Sequence, residues 1–187
     1  MEKEKNRISI AVDMDGVLAD TQTHFIYYYE QETGIKVDPA SMLGIPENEA
    51  FPDKSAVQRF VRMNGFFRTL PVIPGSVNAV KTLMEDFDVY IVSAAMEFPQ
   101  SLFEKKQWLE EYFPFVSWKN IVFCGDKHII RADYLIDDHL KNLDHFPGTP
   151  IMYTASHNVL FTHHQRVNNW DEVLQYFIKI SAPVFRK

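Results

Sequence analysis

Only one cysteine, Cys124, occurs in the 187 residues. A disulfide within the chain is thereby excluded, a cysteine-based zinc site is disfavoured, and a reducing, cytoplasmic compartment is expected. No apolar run is long enough for a signal peptide or a membrane span, because the one that follows the mixed-charge residues 1–7 is broken at Asp13. Basic excess is missing too. The net charge is −6, which argues against the cationic footprint that a nucleic-acid polymer requires. Internal repeats, low-complexity tracts and long linkers are also absent. What is there is a folding composition: 46% hydrophobic and 14% aromatic residues exclude a disordered chain. The length suits one sizeable core with a small inserted subdomain.

The first pattern of note is Ile8-Ser9-Ile10-Ala11-Val12-Asp13-Met14-Asp15-Gly16. A continuous apolar stretch over 7–13 reads as a buried parallel strand, and two carboxylates stand at its end. Further strands are expected at 87–93, 120–124, 134–137 and 150–153. Helices are expected at 20–32, about 54–63, 76–85 with Ser76 as N-cap, 99–112 and about 171–180. In the 99–112 helix, Leu102, Phe103, Lys106 and Leu109 set the spacing. Strands alternating with helices predict an α/β fold: a Rossmann-like parallel sheet covered by helices on both faces. Residues 18–72 lack a buried strand and carry Asp38-Pro39, Ile45-Pro46 and Phe51-Pro52. They read as a helical cap inserted after strand one, with 1–17 and 73–187 forming the core.

Ligands of such sheets bind at the carboxyl ends of the strands. Asp13, Ser93, Gly125-Asp126-Lys127 and Asp137-Asp138 each lie just past a predicted strand end, so four strands deliver polar groups to one edge. Charges are costly near a dry core. Phosphoryl transfer would use them, with Asp13 as nucleophile and Asp15 as general acid and base. At about 4 Å and an effective dielectric near 20, each unit-charge repulsion between a carboxylate and a phosphate costs roughly 4 kcal/mol. A dianion doubles that, and one lysine offsets about half. A divalent cation is therefore implied, and carboxylate ligands suit Mg2+. Asp138 is the second metal carboxylate and Asp137 supports it. Ser93 and Lys127 hold the phosphoryl oxygens, and Gly16 lets backbone amides approach them.

Taken singly, these groups have plain structural readings. An Asp-x-Asp pair can end a strand, Ser93 can cap a turn, Lys127 can be solvated, and Asp137-Asp138 can cap a loop. Their shared position is what favours function. The histidines read mostly as surface residues, His145 and His163-His164 among them, with His157 a candidate brace for the site. Tyr27-Tyr28-Tyr29 and residues 108–113 read as packing.

On these residues the chain resembles the haloacid-dehalogenase-like phosphatases: Asp13-Met14-Asp15-Gly16-Val17 is similar to their first motif, Ser93 to the second, Lys127 to the third and Asp137-Asp138 to the fourth. More narrowly it resembles the 5'(3')-deoxyribonucleotidases, through 12–20, Phe66-Phe67, Pro74-Gly75, 108–113, Asp126-Lys127, 132–138 and 154–158. The resemblance implies removal of phosphate from deoxyribonucleoside monophosphates through an aspartyl-phosphate intermediate. It implies Mg2+ held by Asp13, the Asp15 main-chain carbonyl and Asp138. The chain departs from the family pattern at Thr21, Ala94-Ala95, Gly125 and His139. The family's aromatic pair in the cap has Phe51 as its nearest substitute. Two rival readings follow. One is a phosphatase of another small metabolite such as a sugar phosphate; the other is a non-enzymatic, phospho-accepting receiver-like module. Metal-free dehalogenase chemistry is a weaker rival, having no need of Asp15. The oligomeric state is left open.

Overall fold

The computed structural model of the protein describes residues 7–181, so most of the charged opening lies outside the described residues. Six parallel strands form one sheet in the order β3-β2-β1-β4-β5-β6. They are β1 (Ser9–Asp13), β2 (Asp88–Ser93), β3 (Ile121–Phe123), β4 (Tyr134–Asp137), β5 (Thr149–Tyr153) and β6 (Gln165–Val167). The order reverses direction at β1, which gives the switch point of a doubly wound sheet. Five of these strands follow the expected apolar runs. The sixth, Gln165-Arg166-Val167, has no apolar run and pairs only with β5, at the sheet edge.

The period of two along each strand splits the core. Ile10 and Val12 of β1 join the larger cluster, whereas Ala11 faces the smaller one with Val92, Leu135 and Met152. The larger cluster receives α3 (Ser76–Asp86), α4 (Ser101–Tyr112) and α6 (Trp170–Ser181). The short α5 (Leu140–Leu143) covers the other face through Leu143. Among the described residues no helix is long and apolar enough to cross a membrane.

Between β1 and α3 the chain forms α1 (Thr21–Thr33), short 3-10 turns and α2 (Ala56–Phe60). Asp20 caps α1 by accepting from Thr23 N, and Gly34 ends it in the left-handed conformation, φ +71°. Ala19 bridges Val72, Asp20 N donates to Pro71 O and Ile73 N to Leu18 O. The segment thus leaves the sheet and returns to it at one point. Two expectations are corrected here. Ser76 is not an N-cap: Gly75 holds that position, and Ser76 Oγ donates to Ile73 O. The helix expected near 54–63 contracts to Ala56–Phe60.

Candidate active site

Asp13 is the last residue of β1, and Val12 pairs with Ile136 of β4, so Asp13 and Asp137 emerge side by side. Lys127, which opens the turn after β3, reaches between them. Its Nζ lies 2.6 Å from Asp13 Oδ1 and 2.7 Å from Asp137 Oδ2. Met14 N also donates to Asp13 Oδ1. Asp137 is completed by Asn142 Nδ2 and His139 N. Asp138 turns towards Gly16: a Cβ added at Gly16 would sit 2.1 Å from Asp138 Oδ2. That close approach, with φ +76°, is why this position needs glycine. The structure therefore brings Asp13, Gly16, Lys127, Asp137 and Asp138 together, as their strand-end positions predict.

Asp15 and Ser93 meet through a residue the sequence reading did not single out. Lys105 Nζ donates to Asp15 Oδ2 and, at 2.9 Å, to Ser93 Oγ. It also stands 4.5 Å over the Phe67 ring, and its side chain is 2% exposed. A lysine this buried needs partners, and it has a carboxylate, a hydroxyl and an aromatic face. The available signal was the stripe Ser101, Lys105, Trp108, Tyr112 at helical spacing. The expected stripe through Phe103 and Lys106 is corrected: Phe103 is 71% exposed, and α4 buries Ser101, Lys105, Trp108 and Leu109.

Charge in this cluster is unbalanced. Asp13, Asp137 and Asp138 bring carboxylate oxygens within 4.8 Å of one another; Lys127 bridges the first two, and among the described residues Asp138 has only the imidazoles of His157 and His139 nearby, at 3.7 and 4.0 Å. Burial pushes the Asp13 carboxyl up to about 8; Lys127 opposes this, while Asp137, Asp138 and Asp15 add to it. Burial likewise raises Asp138, against the pull of His157. Asp137 goes the other way, because Lys127, Asn142 and His139 N outweigh its burial. Burial works against the Lys127 charge, and Asp13 and Asp137 overcome it. Asp138 Oδ1 and Asp15 Oδ1 are buried without a hydrogen-bond partner among the described residues. An all-carboxylate set with surplus negative charge and an orphaned Asp138 oxygen fits a hard divalent cation such as Mg2+.

These groups face a cavity of about 510 Å3, within the usual range of about 300–1,000 Å3 for small-molecule sites. The strand ends and the turns that follow them contribute Asp13, Asp15, Lys127 and Asp138 to its wall, α4 contributes Lys105, and residues 18–72 contribute Thr21, Phe25, Glu47, Asn48, Val57, Gln58, Val61, Phe66 and Phe67. His157 and His139 complete it, with rings stacked 4.4 Å apart. His157 Nε2 lies 3.0 Å from Asp138 O and Asn158 Nδ2 donates to the same carbonyl, so His157 does sit against the site. Phe51, the expected aromatic substitute, is buried against Tyr29 instead, with ring centroids 4.9 Å apart.

A family model described as "5' nucleotidase, deoxy (Pyrimidine), cytosolic type C protein" matches residues 6–183. A curated relative from Staphylococcus aureus is 45% identical over 175 residues, covering 92% of this chain and 96% of its own. The 5'(3')-deoxyribonucleotidase of Bacillus subtilis is 38% identical over 164 residues, covering 88% and 95%. Among solved structures, a haloacid-dehalogenase-type hydrolase of Bacillus subtilis bound to magnesium superposes with a TM-score of 0.59 at 12% identity. It covers 93% of this chain and all of its own.

Proposed function

The chain belongs to this 5' nucleotidase, deoxy (Pyrimidine), cytosolic type C family and is a phosphoric monoester hydrolase, and on that premise we propose that it dephosphorylates deoxyribonucleoside monophosphates through an aspartyl phosphate on Asp13. The observation that carries the proposal is the meeting of Asp13, Asp15, Lys105, Lys127 and Asp138 on the wall of one cavity.

Lys127 and Met14 N hold Asp13 Oδ1, which assigns the attack on phosphorus to Oδ2. The new Oδ2–P bond forms as the ester P–O bond breaks, and the leaving alkoxide takes a proton from Asp15. Lys105 holds Asp15 Oδ2, which leaves Oδ1, without a partner of its own, as the oxygen that would exchange the proton. In the second step Asp15 takes a proton from water, the water oxygen bonds to phosphorus, and the acyl P–O bond breaks to release inorganic phosphate and restore Asp13. Lys127, Lys105 and Ser93 steady the phosphoryl oxygens as charge shifts. Asp13, Asp138 and the Asp15 carbonyl would hold a magnesium ion, which would supply the positive charge that lets a carboxylate approach a phosphate dianion; the magnesium-bound relative in fold supports this choice of ion.

Residues 18–72 serve as the cap in this reading, supported by their single point of departure and return and by their share of the cavity wall. Phe25, Val57, Val61, Phe66 and Phe67 give that wall an apolar side. An apolar wall leaves a ribose 2'-hydroxyl without a partner, at roughly 1–3 kcal/mol, which favours deoxy substrates. A cytoplasmic location belongs to the proposal too, resting on the lone, buried Cys124. The test is a panel of monophosphates assayed with and without a chelator. Deoxynucleotides should be turned over best and only with the divalent ion. A sugar phosphate hydrolysed far faster than any deoxynucleotide would overturn the substrate assignment.

A further inference from the structure

Two adjacent histidines that the proposed reaction does not use meet a single carboxylate at the far side of α5. His164 Nε2 lies 2.7 Å, and His163 Nε2 3.1 Å, from Asp144 Oδ1. The two rings are 4.4 Å apart. Asp144 ends α5, whereas the histidines immediately precede the edge strand β6, so the cluster joins two segments about twenty residues apart in the chain. His164 is 11% exposed, and His163 and Asp144 stay open at 52% and 41%, so an ion can reach all three.

We propose that Asp144, His163 and His164 form a binding site for a Zn2+-like transition-metal ion, separate from the magnesium-type site and independent of the phosphatase reading. Two imidazole nitrogens and one carboxylate oxygen are borderline-soft donors that suit Zn2+, Co2+ or Ni2+ and discriminate against Mg2+. Their spacing is close to what such an ion needs. Donors about 2.0–2.1 Å from a tetrahedral ion stand about 3.3 Å from each other, so small outward shifts of the rings open the place for it. The fourth position is left for water. An exposed His–Asp contact by itself contributes only about 0–1 kcal/mol, which gives no reason for two rings to converge on one oxygen.

The site has a structural consequence. Phe161 lines the reaction cavity, and its ring is 6.4 Å from that of His163. An ion that pins His163 and His164 to α5 therefore fixes the segment that carries Phe161.

The experiment titrates the full chain with Zn2+ in millimolar Mg2+, read by competition with a chromophoric chelator. The visible spectrum of bound Co2+ and the Tm are read in parallel. Wild type should bind a Zn2+ equivalent that raises Tm, and give Co2+ the absorption of a four-coordinate ion. His164→Gln and Asp144→Asn should each weaken that equivalent by about tenfold or more and lose the Co2+ band, while keeping the wild-type circular dichroism. Asp138→Asn should retain it. Unchanged affinity in both surface variants, loss of the equivalent in Asp138→Asn, or no Zn2+ bound by wild type would each overturn the assignment.

Discussion

Gly16 shows how tightly a single residue can be constrained here. Its φ of +76° is costly for any residue with a side chain, by about 1–3 kcal/mol, and an added methyl would collide with the Asp138 carboxylate. Gly16→Ala should therefore raise the Mg2+ concentration needed for half-maximal activity, measured by metal titration of the purified variant. Lys105 is constrained by charge instead. Lys105→Met keeps the stem's volume but leaves Asp15 and Ser93 without their shared donor. Removing one preorganised donor costs about 2.7–4 kcal/mol of transition-state stabilisation, so kcat/KM should fall by about 10²–10³-fold with the far-UV spectrum unchanged. A loss below threefold would remove Lys105 from the phosphoryl site. At this scale the sequence was readable wherever a charge followed an apolar strand: Asp13, Asp137 and Asp138 stood out by position alone. Lys105 did not, because Glu104-Lys105-Lys106 is an ordinary polar run and only the helix phase reveals which of the three points inward.

Among the elements, β1 and β4 were legible because buried parallel strands are continuously apolar. The edge strand β6 was not, since Gln165 and Arg166 are held by pairing with β5 and not by any apolar pattern of their own. The phase of α4 does not follow its apolar residues, because Phe103 faces solvent, while Trp108 goes inside and donates from Nε1 to Leu70 O. That bond ties α4 to the returning arm of the segment after β1, as does Gln100 Nε2 to Val61 O. On α1, buried His24 contacts Phe66 O and Thr69 Oγ1, and burial holds its pKa below the usual histidine range. The unfolded chain thus takes up the proton first as pH falls, so His24 contributes stability above about pH 6.5 that is lost as the pH drops through its lower folded value. His24→Gln should flatten the fall in Tm between pH 6.5 and 5. An equal slope in variant and wild type would show that His24 does not carry it.

For the molecule as a whole, the doubly wound sheet sets up the site by concentrating charge where the fold is driest. Asp13, Asp137 and Asp138 are each 4% exposed or less, and self-repulsion among them opposes folding. A divalent ion that binds only the folded chain should offset this. At a concentration a hundredfold above its dissociation constant it would add about 2.7 kcal/mol. Adding Mg2+ to chelator-treated protein should accordingly raise Tm, and Asp138→Asn should abolish the rise. The sequence conveyed this arrangement well because topology, not side-chain detail, gathers strand ends to one rim. It conveyed little of the cavity's roof, where short 3-10 turns follow no period and aromatic residues such as Phe51 divide between packing and lining only once the chain is folded.

The most direct test of the central claim is acid-quenched turnover of a deoxyribonucleoside monophosphate with Mg2+, followed by peptide mass spectrometry. The account predicts one phosphoryl group on the peptide carrying Asp13, present in wild type during turnover and missing in a folded, inactive Asp13→Asn protein. Steady phosphate release by Asp13→Asn, or a phosphoryl group trapped on a different residue, would contradict it.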